Sequence, residues 1–289
     1  MIKKWDQIEY FLNKIHNPKI QNQKFFLFGH EEGFEMVESI NYGYLPFYNK
    51  EEVKVTVSIV PETNTTIRSN ILRENTNYIV IHNTGMAAPS ATAKGLDEYI
   101  HTTTREASWH YSLDDKEAFQ QIPLDEVGWQ AGDGRRKYGE LWENGSGKHI
   151  GGGNLNGIGI ESCVYAGVDF NMVLRNLAKL TSKLLLEYNL QIEDVKQHFH
   201  FSGKNCPQVI REANRWKEFI ELVEIELYAR KYLNDVELNF VSNNPDILDN
   251  FGKVVKHPIY EKEISYRVEV KYNNEKREFS FTSLLEEFK

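Results

Sequence analysis

The amino-acid sequence predicts an α/β domain in its central part, with flanking segments of different character. Two runs, over residues 78–82 and 158–164, are rich in β-branched residues and bounded by turn residues, which is typical of buried strands. A strand–turn–strand pattern lies between them, over residues 109–122. Apolar residues then recur at every third or fourth position over residues 172–188 and again after Pro207, which indicates two amphipathic helices. We therefore expect a mixed central sheet with helices on both sides.

The N-terminal segment, residues 1–70, contains predicted elements of both kinds. Residues 1–16 carry apolar side chains at helical spacing, which predicts a short amphipathic helix. Residues 53–60 alternate between apolar and polar side chains and predict a strand, and an apolar run over residues 25–30 predicts another. We interpret residues 1–70 as an N-terminal extension or a small accessory domain, to which the sequence assigns no role.

Capping residues and glycines mark the element boundaries of the central part. Ser90 or Thr92 is placed to cap the helix that follows the first buried strand, and Asn171 to cap the helix over residues 172–188. Residues 139–156 are rich in glycine and polar side chains. We expect this stretch to form a flexible loop at the rim of a substrate groove.

The C-terminal segment, residues 231–289, is predicted to form strands. The predicted strands cover residues 237–241, 263–272 and 276–281, and the last two are joined across Asn273-Asn274. A hairpin of this size needs further strands or a docking surface to be stable. We therefore expect three parts: residues 1–70, a central domain over residues 71–230, and a β-rich module over residues 231–289.

Composition and charge exclude several classes of protein. The 289 residues include 34 basic and 42 acidic side chains, a formal charge of −8, which argues against a nucleic-acid binder. The two cysteines do not indicate a disulfide framework. No stretch approaches the roughly 20 apolar residues of a transmembrane helix, so we expect no membrane insertion. The basic N-terminus lacks the apolar region of a Sec signal peptide, so we expect a protein made in the cytoplasm without that signal. We also expect a monomer.

His198 and Cys206, eight positions apart, are candidate metal ligands. A thiolate and a neutral imidazole are both good ligands for zinc. The residues between them have a turn composition, so this segment can fold back on itself. His82 ends a predicted buried strand beside a loop, which makes it the candidate for a third ligand. Three protein ligands would leave a fourth position for water, as in catalytic zinc sites.

The second buried strand carries a carboxylate that is costly to bury. Alternation places Gly159, Glu161 and Cys163 on one face of this strand. A carboxylate in such a run needs a partner or a nearby metal site, so Glu161 is a candidate general base whose pKa is set by its surroundings. A buried salt bridge is the alternative. We interpret Cys163 as a small core residue rather than a further thiol ligand.

These residues fall within an ordered set of motifs that resembles a known family. The motifs are, in chain order, His82-Asn83-Thr84, Ala107-Ser108-Trp109-His110-Tyr111, Asp114-Asp115-Lys116, Ala131-Gly132-Asp133-Gly134, Ile158-Gly159-Ile160-Glu161, and His198 followed by Ser202-Gly203-Lys204-Asn205-Cys206-Pro207. The set is similar to the zinc-dependent N-acetylmuramoyl-L-alanine amidases of the phage-lysozyme and peptidoglycan-recognition type (amidase type 2). Within that family it looks most like the endolysins of Gram-positive bacteria and their phages.

The resemblance implies a fold, an activity and a cofactor. The fold would be that of amidase type 2, a mixed central sheet flanked by helices. The activity would be hydrolysis, by a zinc-activated water, of the amide between N-acetylmuramic acid and L-alanine in peptidoglycan. The family's ligands for Zn²⁺ fall on three positions of this sequence: His82, His198 and Cys206.

The resemblance also implies roles around the metal. Lys204, two residues before the cysteine, would stabilise the oxyanion that forms when water attacks the amide. Glu161 would take a proton from the attacking water and return it to the leaving amine. The candidates for binding substrate are His110, Trp109 and Trp129.

Two positions depart from the family's pattern. Trp109 stands where the phage-lysozyme pattern has a tyrosine, and an indole cannot replace a phenol as an acid. Gln130 stands where many relatives have histidine. We therefore expect proton transfer to depend on Glu161.

Several alternatives stay open from the sequence alone. A peptidoglycan-binding receptor without catalysis is one, although Cys206 argues against it because such receptors typically lack the cysteine. A zinc peptidase that cuts within the stem peptide and a lysin-derived regulator that binds a partner protein are others. A phage lysin, an autolysin and a recycling enzyme are not distinguished, nor is the route to the wall, whether holin, lysis or a separate exporter. Residues 231–289 occupy the position of a wall-targeting module, with a structural appendage as the alternative.

Overall fold

The computed structural model of the chain describes residues 3–20, 23–28, 36–41, 48–256 and 258–287. The chain divides into two compact units. One unit, called here the sheet–cleft unit, comprises Phe26–Ser39 and Glu52–Val223. The other, called the terminal unit, comprises Met1–Phe25, Ile40–Glu51 and Glu224–Lys289.

Helices and strands alternate along much of the chain. The helices are α1 (Lys4–Ile15), α2 (Ala93–Thr102), α3 (Gly153–Asn156), α4 (Phe170–Glu187), α5 (Phe199–Ser202), α6 (Gln208–Glu212) and α7 (Trp216–Tyr232). The strands are β1 (Lys19–Ile20), β2 (Gln23–Phe28), β3 (Met36–Asn41), β4 (Lys54–Val57), β5 (Tyr78–Asn83), β6 (Tyr111–Leu113), β7 (Glu117–Gln120), β8 (Leu141–Asn144), β9 (Gly147–Ile150), β10 (Gly157–Ser162), β11 (Val195–Gln197), β12 (Val236–Ser242), β13 (Lys262–Tyr272) and β14 (Glu275–Leu285). Within these ranges no helix has both the length and the apolar character needed to cross a bilayer.

A mixed six-stranded sheet is the centre of the sheet–cleft unit, in the order β11-β5-β10-β6-β7-β4. The strands β11, β5, β10 and β6 run parallel to one another, β6 and β7 form an antiparallel hairpin, and β4 runs parallel to β7. Every residue of β5 is buried, as its run of apolar and aromatic side chains predicts. Helices α2, α4 and α6 pack against the sheet, which confirms the predicted fold class.

Three helix boundaries show how well the capping residues could be predicted. Thr92 caps α2, because its hydroxyl accepts a hydrogen bond from the Gly95 amide at 3.0 Å. Asp169, not the predicted Asn171, caps α4 by accepting from the Met172 amide at 3.3 Å. The single helix predicted after Pro207 is instead α6 and α7, separated by a turn in which Asn214 has a φ of 54°.

The prediction of a flexible loop over residues 139–156 was wrong. This stretch forms the antiparallel hairpin β8–β9 and the short helix α3. Asn144-Gly145-Ser146 lies at the tip of the hairpin, where glycine and asparagine suit a tight turn. The hairpin is tied to α5, because the Asn144 side-chain amide donates to the Ser202 carbonyl at 3.0 Å.

The terminal unit has a core of its own. Its sheet has the order β1-β14-β13-β12, and β13 and β14 form the predicted hairpin across Asn273 and Asn274. The predicted N-terminal helix, α1, contributes four buried side chains to this core: Ile8, Phe11, Leu12 and Ile15. They pack with apolar residues of the sheet and of α7, including Ile225, Ala229, Tyr266 and Val268.

The domain boundaries therefore differ from those predicted. Residues 1–25 and 231–289 do not form separate parts, because the apolar face of α1 is buried in the same core as the C-terminal sheet. Residues 52–70 belong with the central domain, because β4 pairs with β7. The strand predicted over residues 25–30 corresponds to β2, and residues 29 and 30 lie outside the described residues. A wall-targeting role for the terminal unit stays a prediction.

Candidate metal centre and cleft

Three adjacent parallel strands bring the predicted metal and catalytic residues together. His82 is near the carboxyl end of β5, and Glu161 pairs with it in register on β10. On the other side of β5, Gln197 of β11 pairs with Ile81, and His198 is the next residue. The carboxyl ends of parallel strands are a common place for ligand sites, and here they place all three side chains at one edge of the sheet.

The segment from His198 to Cys206 folds back on itself, as its turn composition predicts. The His198 amide donates to the Ile81 carbonyl at 3.3 Å, and α5 begins directly afterwards. Gly203, with a φ of 77°, ends this helix in the left-handed conformation that glycine adopts without strain. The Phe199 amide then donates to the Cys206 carbonyl at 3.0 Å. The return of the chain therefore places Cys206 beside the two histidines.

The donor atoms of His82, His198 and Cys206 lie within 4.8 Å of one another, and all three residues are buried. His82 Nδ1 is 3.1 Å from His198 Nδ1 and 3.7 Å from Cys206 Sγ. Zinc with tetrahedral angles and ordinary bond lengths separates two nitrogen ligands by about 3.3 Å and a nitrogen from a sulfur by about 3.6 Å. Two imidazoles and a thiol at these spacings therefore fit a zinc ion.

Burial controls the protonation of the three residues. It lowers the pKa of His198 to about 3 and the pKa of His82 well below its usual value, and the positive charge of Lys204 acts in the same direction. Both rings are therefore neutral near pH 7, the form that binds metals. Burial also raises the pKa of the Cys206 thiol to about 12. A thiolate at this position needs a cation beside it.

Glu161 faces the same centre from β10. Its Oε1 is 3.9 Å from His82 Nδ1, and its buried Oε2 has no hydrogen-bond partner among the described residues. Burial raises the pKa of Glu161 to about 7, against the opposing charges of Lys204 and Arg105. A carboxyl group with a pKa near neutrality and an unpartnered oxygen can accept and release a proton.

A cleft of about 440 Å³ opens onto this group of residues. Its lining includes His82, Glu161 and His198 together with Lys204. Other polar and apolar side chains complete the lining: Asn83, Thr84, Met86, Leu96, Tyr99, Thr103, Arg105, Ala107, Trp109, Trp129 and Gln130. A cleft that combines convergent polar groups with aromatic walls is typical of a ligand site.

The three predicted substrate-binding residues have different positions. Trp109 and Trp129 line the cleft. His110 does not, which corrects its assignment as a residue that contacts substrate. It is fully buried, its Nδ1 accepts from the Gly159 amide at 3.0 Å, and its Nε2 lies 3.0 Å from the Glu126 carbonyl. Both ring nitrogens of His110 therefore contact backbone groups of the fold.

Gln130, noted in the sequence only as a departure from the family's pattern, contacts the centre. Its Oε1 is 3.2 Å from His82 Nε2. The backbone of this segment is held by Asn154, whose Oδ1 accepts from the amides of Gln130 and Ala131 at 2.8 Å and 2.6 Å. Asp133 in turn accepts from the Asn154 amide at 3.1 Å. Gly159 in the middle of a buried strand was a signal of close approach by another segment.

Sequence comparison relates the central part of the chain to known amidases. A sequence model described as N-acetylmuramoyl-L-alanine amidase matches residues 72–209. The amidase XlyA of Bacillus subtilis (strain 168) is 37% identical over 142 residues, which are 49% of this chain and 42% of that protein. The amidase CwlH of the same organism is 36% identical over 143 residues, which are 50% of this chain and 51% of that protein. The chain thus spans about half the length of these curated relatives.

Solved structures show the same similarity. The catalytic domain of XlyA superimposes with a TM-score of 0.51 at 31% identity, over 59% of this chain and 99% of that domain. A mutant endolysin from Bacillus subtilis gives a TM-score of 0.51 at 32% identity, with the same coverage of 59% and 99%. Through its central residues, which include the candidate metal centre, the chain belongs to the N-acetylmuramoyl-L-alanine amidase family.

Proposed function

We propose that the chain is a zinc hydrolase that cleaves the amide bond between N-acetylmuramic acid and L-alanine in peptidoglycan. The observation that carries the proposal is the buried group of His82, His198 and Cys206, with Glu161 beside His82 and with His82, His198 and Glu161 lining one cleft. The names of the similar proteins supply the substrate class. Cys206 also favours catalysis over simple binding, because it completes a set of three protein ligands.

His82 Nδ1, His198 Nδ1 and Cys206 Sγ are the atoms that would hold the metal. When bound, zinc supplies a Lewis acid that polarises the amide carbonyl and lowers the pKa of a water molecule to about 7. The two imidazoles remain neutral because they are buried. The thiol ionises on binding, so uptake of the metal releases a proton.

Glu161 carries the proton transfer in this proposal. Its Oε2, which has no protein partner among the described residues, accepts the proton of the attacking water. The same carboxyl group then gives the proton to the amine of the departing L-alanine, so that the leaving group departs neutral. A pKa near that of water made acidic by a metal favours transfer in both directions.

Lys204 stabilises the negative charge that develops on the carbonyl oxygen. It lines the cleft, and its charge already shifts the pKa of Glu161, His82 and His198. A fixed cation facing a developing oxyanion lowers the barrier because it interacts more strongly with the transition state than with the neutral amide. Trp109 provides a wall of the cleft rather than an acid, because its indole Nε1 donates to Ser112 Oγ at 2.8 Å.

Mass spectrometry of digested peptidoglycan tests the proposal. Purified, insoluble peptidoglycan is incubated with the protein, with and without prior removal of metal by a chelator. We expect stem peptides that begin with a free L-alanine amine, and their loss after chelation and recovery after addition of zinc. Cleavage within the stem peptide would show a peptidase instead. Intact peptidoglycan that retains the protein would show a binding protein without catalysis.

A further inference from the structure

Gln130 lies against the metal centre in a position that only a glycine on β10 allows. The residue belongs to the segment between β7 and β8, and its carboxamide lies over Gly159. A Cβ atom on residue 159 would overlap with Gln130 Oε1. Glycine inside a strand often marks such a close approach of another segment. The glycine therefore determines where the carboxamide of Gln130 lies.

The orientation of this carboxamide is fixed by its other contacts. Gln130 Nε2 donates to the Gly157 carbonyl at 3.0 Å and to the Gly153 carbonyl at 3.3 Å. Carbonyl oxygens only accept hydrogen bonds, so the NH₂ end of the amide must face these two groups. The oxygen end, Oε1, is thereby directed toward His82 Nε2 at 3.2 Å.

An amide oxygen facing His82 Nε2 determines where the imidazole carries its proton. Because Oε1 can only accept, the proton of the neutral ring belongs on Nε2. The lone pair is then on Nδ1, the atom that lies 3.1 Å from His198 Nδ1 and 3.7 Å from Cys206 Sγ. This tautomer presents a donor atom to the metal without a rearrangement of protons.

We propose that Gln130 is a positioning residue that holds His82 in the Nε2–H tautomer and so prepares the centre for metal binding. The proposal rests on the proposed function only through the identity of the metal ligands. The backbone of this segment is anchored by Asn154, whose Oδ1 accepts from the amides of Gln130 and Ala131.

The substitution Gln130→Met removes the acceptor with little change in size. In the zinc-free protein, long-range ¹H–¹⁵N NMR spectra distinguish the two imidazole tautomers. We expect His82 to be Nε2–H in the wild type and to lose this preference in Gln130→Met. We also expect the affinity for zinc, measured by competition with a chromophoric chelator, to fall about 10- to 100-fold.

A second variant tests the same relation without changing Gln130. Gly159→Ala introduces the Cβ that overlaps with Oε1, so it should displace the carboxamide and give the same two effects. Gly145→Ala is the matched control, because a Cβ there meets no atom within 4 Å. Gln120→Met is the control for loss of a half-buried side-chain amide. The Nε2 of Gln120 donates to the Ile122 carbonyl, and Gln120 does not line the cleft.

The proposal is overturned if Gln130→Met and Gly159→Ala keep the wild-type tautomer of His82 and bind zinc within twofold of the wild-type affinity. It is also overturned if Gln120→Met or Gly145→Ala reduces zinc affinity as much as they do, since the effect would then reflect general destabilisation. Neither readout requires a substrate. The tautomer and zinc-affinity measurements therefore test the role of Gln130 even if the protein has no amidase activity. Failure of this proposal can thus be distinguished from failure of the proposed function.

Discussion

Glu161 lies directly opposite His82 in the parallel register of β10 and β5, with 3.9 Å between its Oε1 and His82 Nδ1. Residues that pair across neighbouring strands project to the same face of the sheet. A slip of one residue in this register would move one of the two side chains to the opposite face. The sheet itself therefore places the candidate base beside the candidate metal ligand.

The substitution Glu161→Gln tests the role of this carboxylate. Glutamine keeps the size of the side chain but cannot take a proton, so we expect kcat to fall by about 10²- to 10⁴-fold. Zinc content should stay at the wild-type level, because Glu161 is not one of the three grouped metal donors. The measurement is peptidoglycan solubilisation together with metal analysis. Wild-type turnover in the variant would remove Glu161 from the mechanism.

The pair His198→Ala and His200→Ala tests which histidine of the segment binds the metal. His198 is buried and its Nδ1 is 3.1 Å from His82 Nδ1. His200, two residues later, is exposed, and its Nδ1 lies 3.3 Å from the Gln197 carbonyl. We expect His198→Ala to lose bound zinc, measured by atomic absorption, and His200→Ala to retain it. The reverse result would assign the ligand to His200.

Lys204→Met tests electrostatic stabilisation in the cleft. Loss of the cation that faces the developing negative charge should lower kcat by about 10²- to 10³-fold, with little effect on zinc content. Lys148→Met is the control, because Lys148 is exposed on the β8–β9 hairpin and does not line the cleft. Steady-state rates of both variants on solubilised peptidoglycan decide the matter. Equal rates for the two variants would argue against the role of Lys204.

A buried ion pair in the sheet–cleft unit should make stability depend on pH. Arg68 donates from Nε and Nη2 to Glu126 at 2.9 Å and 2.6 Å. Burial by itself would raise the pKa of Glu126, but the hydrogen bonds from Arg68 and the Asn70 amide hold that pKa below its usual value. The pair therefore stabilises the folded protein fully above about pH 4.3, the ordinary glutamate pKa, and this stabilisation is lost as pH falls through the lower folded-state value.

Urea denaturation at a series of pH values measures this effect. Glu126→Gln leaves Arg68 buried without its partner, so the free energy of unfolding at pH 7 should fall by about 3–5 kcal/mol. The variant should also lose stability less steeply than the wild type as the solution is acidified. Glu117→Gln removes the partner of exposed Lys54 and should cost less than about 1 kcal/mol. Identical acid slopes for wild type and Glu126→Gln would contradict the assignment.

The sequence was informative where chemistry and local structure coincide. His82, Glu161 and His198 sit at or beside the ends of strands that their own residues predict, and Cys206 follows a turn that its neighbours predict. The resemblance of the ordered motifs then supplied the ligand set. In the structure, His82, His198 and Cys206 form one group, and Glu161 lies beside His82, as the motifs indicated.

Features that depend on tertiary contacts without a sequence motif could not be predicted in the same way. The role of Gln130 depends on how its segment crosses Gly159, which the spacing of residues does not reveal. The association of α1 with β13 and β14 joins segments more than 200 residues apart. His110 occupies a motif position, but its ring is buried and accepts a hydrogen bond from the Gly159 amide of β10. In each case the sequence indicated the local feature but not the distant segment that contacts it.

The paired substitutions Cys206→Ala and Cys163→Ala test most directly whether the candidate centre produces the activity. Both cysteines are buried, but only Cys206 is grouped with His82 and His198. Each purified variant is analysed for zinc and for release of stem peptides with a free L-alanine amine from peptidoglycan. We expect Cys206→Ala to lose both and Cys163→Ala to keep both. Zinc-dependent release of these peptides by Cys206→Ala at the wild-type rate would contradict the central claim.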